Sequence, residues 1–211
     1  MAHIAELLGK EIKAGLPGTA VQWEMGSVHR LLNDLPKIPG PDSTEAAVLI
    51  LLYPEDNSVY TVLMQRPDYD GAHGGQISFP GGKKEAHDKT IIATAIREAG
   101  EEAGIPEEEI SVINTLTPLY IPVSDINVTP VLAWSKKKPA FRHHPDEVAF
   151  LFEVKLSRLA NETLVKTTPM PVRGQIIDVK HYDYDGKVIW GATAMMLHEL
   201  LVIAARGGIT L

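Results

Sequence analysis

Eight consecutive apolar residues at 46–53 (Ala-Ala-Val-Leu-Ile-Leu-Leu-Tyr) set the first limit on this chain. No longer apolar run occurs, and a helix crossing a bilayer takes about 20 such residues, so this is a strand length and no membrane partner is expected. A second run at 59–65 follows Pro54-Glu55-Asp56-Asn57-Ser58, and the pair predicts a hairpin that opens the core sheet. Hydrophobic residues make up 45% and charged residues 22% of the 211, which suits one globular core and excludes disorder. The formal net charge of −7 opposes a life on nucleic acid phosphates. With no cysteine, disulfides, thiolate metal sites and cysteine nucleophiles are excluded together. The first residues, Met-Ala-His-Ile-Ala-Glu-Leu-Leu, carry acid and lack a basic segment, so no secretory signal is expected and a cytoplasmic location is the default.

Helical spacing of Ile4, Leu7, Leu8 and Ile12 predicts a helix over 3–14, and a short amphipathic stretch covers 28–35. Pro36 and Pro39-Gly40-Pro41 then read as a linker. Residues 1–43 are therefore expected as a helical extension and linker, open to a homodimer contact, and residues 44–211 as the main domain. Further strands are predicted at 110–119, 127–134, 147–154, 175–182 and 187–190, the last two around the hairpin signal Asp185-Gly186. An apolar helix closes the chain over 192–205. Strands and helices in this irregular order predict an α/β sandwich rather than repeated βαβ units.

Residues 71–82 hold five glycines and a proline around one short extended segment, and then the pattern changes. Over 90–103, Ile92, Ala95, Ile96, Ala99 and Ala103 form one stripe at a 3.6-residue period, with Gly104 and Pro106 as the stop. At 100° per residue, with Ile92 at zero, Glu98 falls near about 240°, Glu101 near about 180° and Glu102 near about 280°, on the face away from the stripe. Like charges one turn apart, in the last turns of a helix, cost a few tenths of a kcal/mol each and oppose the macrodipole. A divalent cation reverses the sign of that repulsion. An all-carboxylate site selects a hard ion, Mg²⁺ or Mn²⁺, which suggests phosphoryl chemistry. Asp88 sits where a helix N-cap belongs.

Gly82, Asp88, Arg97-Glu98, Glu101-Glu102 and Gly104-Ile105 resemble the Nudix box, with Asp in place of the first Glu and eight residues rather than seven before Arg97. The resemblance implies a Nudix-type α/β/α sandwich around a mixed β-sheet, and hydrolysis of a nucleoside diphosphate derivative. It further implies Mg²⁺ or Mn²⁺ on Glu98, Glu102 and Glu101 with the Gly82 carbonyl, Arg97 orienting those carboxylates, and Glu101 or Glu147 as base. The segments 63–66, 73–82, 145–148 and 182–191 are similar to the coenzyme A pyrophosphatase branch. There Arg66, His73 and Gly81 fall to substrate binding, whereas Gly71 stands where a second Arg is the pattern. Coenzyme A or an acyl-CoA is the expected substrate. ADP-ribose or another nucleoside diphosphate derivative is the alternative, and a nucleotide-sensing module without hydrolysis is a third reading.

Overall fold

A computed structural model describes residues 2–27, 38–67, 75–145, 147–172 and 174–211. The predicted hairpin lies at its centre. Strand β1 (Thr44–Glu55) pairs antiparallel with β2 (Ser58–Gln65) around Asp56 and Asn57, whose φ of 46° and 55° give the left-handed two-residue turn that matches strand twist. On its other edge β1 runs parallel to β7 (Ile126–Trp134), which in turn carries β5 (Ser111–Thr115) and β6 (Leu119–Ile121). β2 carries β3 (Ile77–Ser78) and β8 (Phe150–Lys155), and β4 (Gly81–Lys83) lies on the first half of β1. These eight strands form one mixed sheet. A smaller sheet holds β9 (Val165–Val172), β10 (Gln175–Tyr184) and β11 (Lys187–Trp190), with Asp185 and Gly186 turning at φ 53° and 79°.

Alternation along β1 feeds two cores. Ala47, Leu49 and Leu51 face helix α3 (Ile91–Ala103; α1 and α2 are given below), where Ala95, Ala99 and Ala103 meet them. Ile50 and Leu52 point the opposite way, into a larger core with Leu8 and Ile12 of α1 (Ala2–Ala14) and with Met195, Leu197, Leu200 and Ile203 of α5 (Gly191–Arg206). Helices therefore cover both faces of a mixed sheet, the expected α/β/α sandwich. One short helix, α4 (Leu156–Leu159), follows β8.

Helix α3 sits on three methyl groups, so its backbone lies close to the sheet, and both of its ends are fixed. Thr90 caps the N-terminus, its hydroxyl accepting from the Ala93 N–H at 3.1 Å. At the other end Gly104 takes φ 65° and the Arg142 N–H donates to the Ala103 carbonyl at 3.0 Å. A Cβ on Gly104 would stand 2.7 Å from the Arg142 carbonyl oxygen.

Leu8, Ile12 and Met25 enter the larger core, and three sequence expectations are revised. A second helix, α2 (Thr19–Trp23), was not expected. It is tied to α5 by Glu199, fully buried, which accepts from the Gly18 N–H at 3.3 Å, Gln22 Nε2 at 2.9 Å, the Thr117 N–H at 3.3 Å and the Thr117 hydroxyl. Donors on both oxygens are what make a carboxylate tolerable there. The stretch 28–35 lies outside the described residues. The single strand expected over 110–119 is two, β5 and β6. Strand β9 was missed because Pro169 and Pro171 interrupt it, yet it is an outer strand, where a proline forfeits little.

Candidate active site

Strand β4 lies between β1 and the acidic side of α3, with Gly81 opposite Val48 and Gly82 opposite Ala47. Neither glycine has room for a side chain. A Cβ on Gly81 would stand 2.3 Å from the Ala47 carbonyl oxygen, and one on Gly82 would stand 2.5 Å from the Glu98 carboxyl. Backbone and carboxylates consequently meet: the Gly81 N–H donates to Glu102 Oε2 at 2.7 Å, and Arg66 Nη2 donates to the Gly81 carbonyl at 3.0 Å while lying 3.7 Å from Glu102 Oε1.

This placement corrects the helical wheel. Glu102 does not share an outward face with Glu98 and Glu101; it is 5% exposed. Its direction borders the alanine stripe, and the space left by two glycines admits it. Glu98 is half-buried and Glu101 exposed. Burial chiefly, then the charges of Glu98 and Glu147, push the Glu102 carboxyl up to about 7, against the opposing pull of Arg66 and the Gly81 N–H. Burial also raises Glu98, which the Arg97 charge counteracts.

Arg97 is the hub of the acidic cluster. Its Nε and Nη2 donate to the two oxygens of Asp88 at 3.1 and 3.0 Å, and Nη2 also donates to the Lys83 carbonyl at 3.1 Å. The same guanidinium lies 2.9 Å from Glu98 Oε1 and 2.8 Å from Glu101 Oε2. Asp88, expected as the helix cap, yields that role to Thr90; nearly buried, it also accepts from the Glu85 N–H at 2.9 Å and the Thr94 hydroxyl at 3.0 Å. Hydrogen bonding from Arg97 holds the Asp88 carboxyl far below the usual carboxylate range. The eight-residue spacing has not parted the two. The sequence signal for the cap was Thr90 itself, immediately before the stripe.

Arg97 neutralises Glu98 and Glu101 from between them, and among the described residues no three His, Asp or Glu side chains gather as a ready metal cage. Glu98 is cradled where Gly82 lacks a Cβ, and Glu102 is close enough to feel its charge. Two hard oxygen donors of net negative charge beside backbone carbonyls fit a divalent cation that keeps several waters. Glu147 precedes β8 in a turn rather than opening it, with its N–H 3.1 Å from the His144 carbonyl. Arg66 follows Gln65, whose carbonyl accepts from the Ala149 N–H at 2.9 Å, so the Glu147 turn borders the site. His73 and Gly71 lie outside the described residues.

The site is thus an acidic helix laid on a double-glycine strand, within a mixed sheet covered on both faces. The NUDIX domain model matches residues 43–168. The chain belongs to the Nudix family, whose members generally use divalent metal ions. It is 35% identical over 176 residues to a protein of Photorhabdus laumondii named "Uncharacterized Nudix hydrolase NudL", covering 82% of this chain and 93% of that one. A protein of the same name from Pectobacterium atrosepticum is 36% identical over 165 residues, 77% and 83% of the two chains. Among solved structures, the Nudix hydrolase RenU of M. smegmatis superposes with a TM-score of 0.55 at 21% identity, over 77% of this chain and 86% of that one. A MutT/nudix family protein from Enterococcus faecalis gives 0.53 at 14% identity, over 91% and 76%. Both likenesses are of fold. Among the described residues no helix is long and apolar enough to cross a membrane.

Proposed function

We propose that this Nudix hydrolase cleaves the pyrophosphate of coenzyme A or one of its derivatives, releasing adenosine 3′,5′-bisphosphate and a 4′-phosphopantetheine. The observation that carries the reading is Arg66. It stands in the segment similar to the coenzyme A pyrophosphatase branch, and its guanidinium reaches Gly81 and Glu102. A planar fork with N–H groups left over suits a diphosphate oxygen.

In this reading Glu98 and Glu102, with the Gly82 carbonyl, hold Mg²⁺ or Mn²⁺, which when bound lowers the pKa of water and neutralises diphosphate charge. Arg97 keeps Glu98 in place through Asp88 and Glu101, making it a positioning residue. Glu147 is the better base: its charge is felt by Glu102 from across the site, whereas Glu101 is committed to Arg97. Glu147 accepts the proton of the attacking water as the P–O bond forms, and the bridging oxygen leaves with the second phosphate. Gly71, in place of an arginine, favours the second reading, in which ADP-ribose or another nucleoside diphosphate derivative is the substrate. A panel of coenzyme A, acetyl-CoA, ADP-ribose and diadenosine tetraphosphate with Mn²⁺, products identified by mass, tests the choice. Coenzyme A turned over at least tenfold faster than the others is expected; ADP-ribose leading by that margin refutes it.

A further inference from the structure

A cavity of about 1490 Å³ opens from Arg66, Gly81 and Gly82 and runs between the large sheet and the small one. Ligand pockets commonly span about 300–1000 Å³, so a diphosphate group alone leaves most of this space unfilled. The far wall is built by strand register. Met170 pairs with Ile177, and Trp190 pairs with His181, so Met170, Ile177, Val179, Val188 and Trp190 share one face of the small sheet. Ile121 and Ile126 of β6 and β7 line the opposite side. Met170, Ile177, Val188 and Trp190 are only half-buried, so the small sheet turns an incompletely covered apolar surface toward the site. Two of the polar groups nearby are engaged elsewhere, Thr193 donating to the Ile77 carbonyl at 2.9 Å and Lys180 to the Glu24 carbonyl at 2.7 Å, while the Ser78 hydroxyl has no partner among the described residues. Arg66 and Lys83 lie at the glycine end; Lys187 of the small sheet, which also lines the cavity, sits over the Phe150 and Phe152 rings, 5.8 and 5.2 Å from their centroids.

We infer that this chamber seats a hydrocarbon chain carried by the substrate on the far side of its diphosphate, and that the small sheet sets the enzyme's preference for long chains over short ones. The site sets the direction: the diphosphate belongs beside Arg66, Gly81 and Glu102, and the chain against the apolar face of the small sheet. Methionine and β-branched walls accept flexible chains of varied length, because a thioether repacks at little cost. Most of this wall lies past residue 168, where the family model ends, so the preference belongs to this chain and its near relatives rather than to the shared hydrolytic machinery. The inference deepens the function proposed above and rests on that reading only for the position of the diphosphate.

The test uses two probes that are not coenzyme A compounds, the methyl and decyl esters of ADP, titrated calorimetrically into protein held in EDTA so that neither is cleaved. Seating of the chain is expected to tighten binding of the decyl ester about 30-fold or more over the methyl ester, since even half-burial of each methylene contributes about twofold. In Val188→Trp, which fills the chamber, and in Met170→Ser, on an outer strand, that ratio is expected to fall below threefold. Equal affinities for the two esters, or no binding of either at millimolar concentration, overturn the inference. So does a concentration-dependent dimer that Val188→Trp dissociates, which would assign the face to a second copy of the chain. Decyl preference together with failure to cleave any coenzyme A compound leaves the chamber standing and refutes the proposed substrate; cleavage of coenzyme A without decyl preference does the reverse.

Discussion

Replacing Glu102 with glutamine should stabilise the metal-free protein while removing its activity. The carboxyl is buried against β4 and pushed up to about 7 from an ordinary glutamate value of 4.5. A folded state that binds this proton more tightly than the unfolded chain gains stability that is whole below about pH 4.5 and is lost as pH rises through 7. The interval of about 2.5 pH units, at 1.36 kcal/mol each, makes the loss about 3 kcal/mol at pH 8 and under about 1 kcal/mol at pH 5. Glutamine keeps an oxygen for the Gly81 N–H and never ionises. Urea unfolding in EDTA should therefore show Glu102→Gln more stable than the parent by up to about 3 kcal/mol at pH 8, with the gap nearly closed at pH 5. Adding Mg²⁺ or Mn²⁺ should raise the stability of the parent and leave the variant unmoved, and pyrophosphatase activity should fall by a factor on the order of 10² or more. If the variant is the less stable protein at pH 8, or the gap is the same at both pH values, burial does not dominate at Glu102 and the argument from its environment fails.

Gly82→Ala should push Glu98 aside, because the new methyl would stand 2.5 Å from its carboxyl; kcat should drop on the order of 10²-fold, with thermal unfolding showing an intact fold. Arg97→Lys keeps a charge but cannot serve Asp88, Glu98 and Glu101 together, so kcat should fall about 10- to 100-fold without rescue by raised metal concentration. Thr90→Ala should cost about 1 kcal/mol in urea unfolding and lower kcat a few-fold, well short of the loss in Arg97→Lys, which separates the cap from Asp88. Ala99→Leu overpacks the narrow layer between α3 and β1, and should cost about 1–3 kcal/mol and lower activity with it.

Features carried by backbone chemistry were legible in the sequence. Asp-Asn and Asp-Gly turns, the apolar run of β1 and the alanine stripe of α3 each announce a local conformation, and the structure keeps all of them. What escaped depends on contacts distant in sequence. No wheel shows how far Glu102 turns inward, because the space that admits it is made by Gly81 and Gly82 of β4, 21 residues upstream of Glu102 in the case of Gly81 but in contact with it in the fold. Arg97 could be read as a carboxylate's neighbour, yet its choice of Asp88 follows from a turn at 85–88 whose geometry only the fold supplies. Glu199 lies buried on an apolar helix, and its partners come from α2 and from Thr117, more than eighty positions upstream in the nearer case.

A helix resting on methyl groups has nothing beneath it to resist sliding along its own axis, since alanines present no ridges to lock into a neighbour's furrows. Its axial position must be set at its tips: by the threonine and the Asp88–Arg97 clasp at one, and by the glycine wedged under the Arg142 backbone at the other. Loosening either stop would let two carboxylates travel together, past glycines that stay put. Reaction rate in this enzyme should then be sensitive to substitutions at those tips that leave every acid in place.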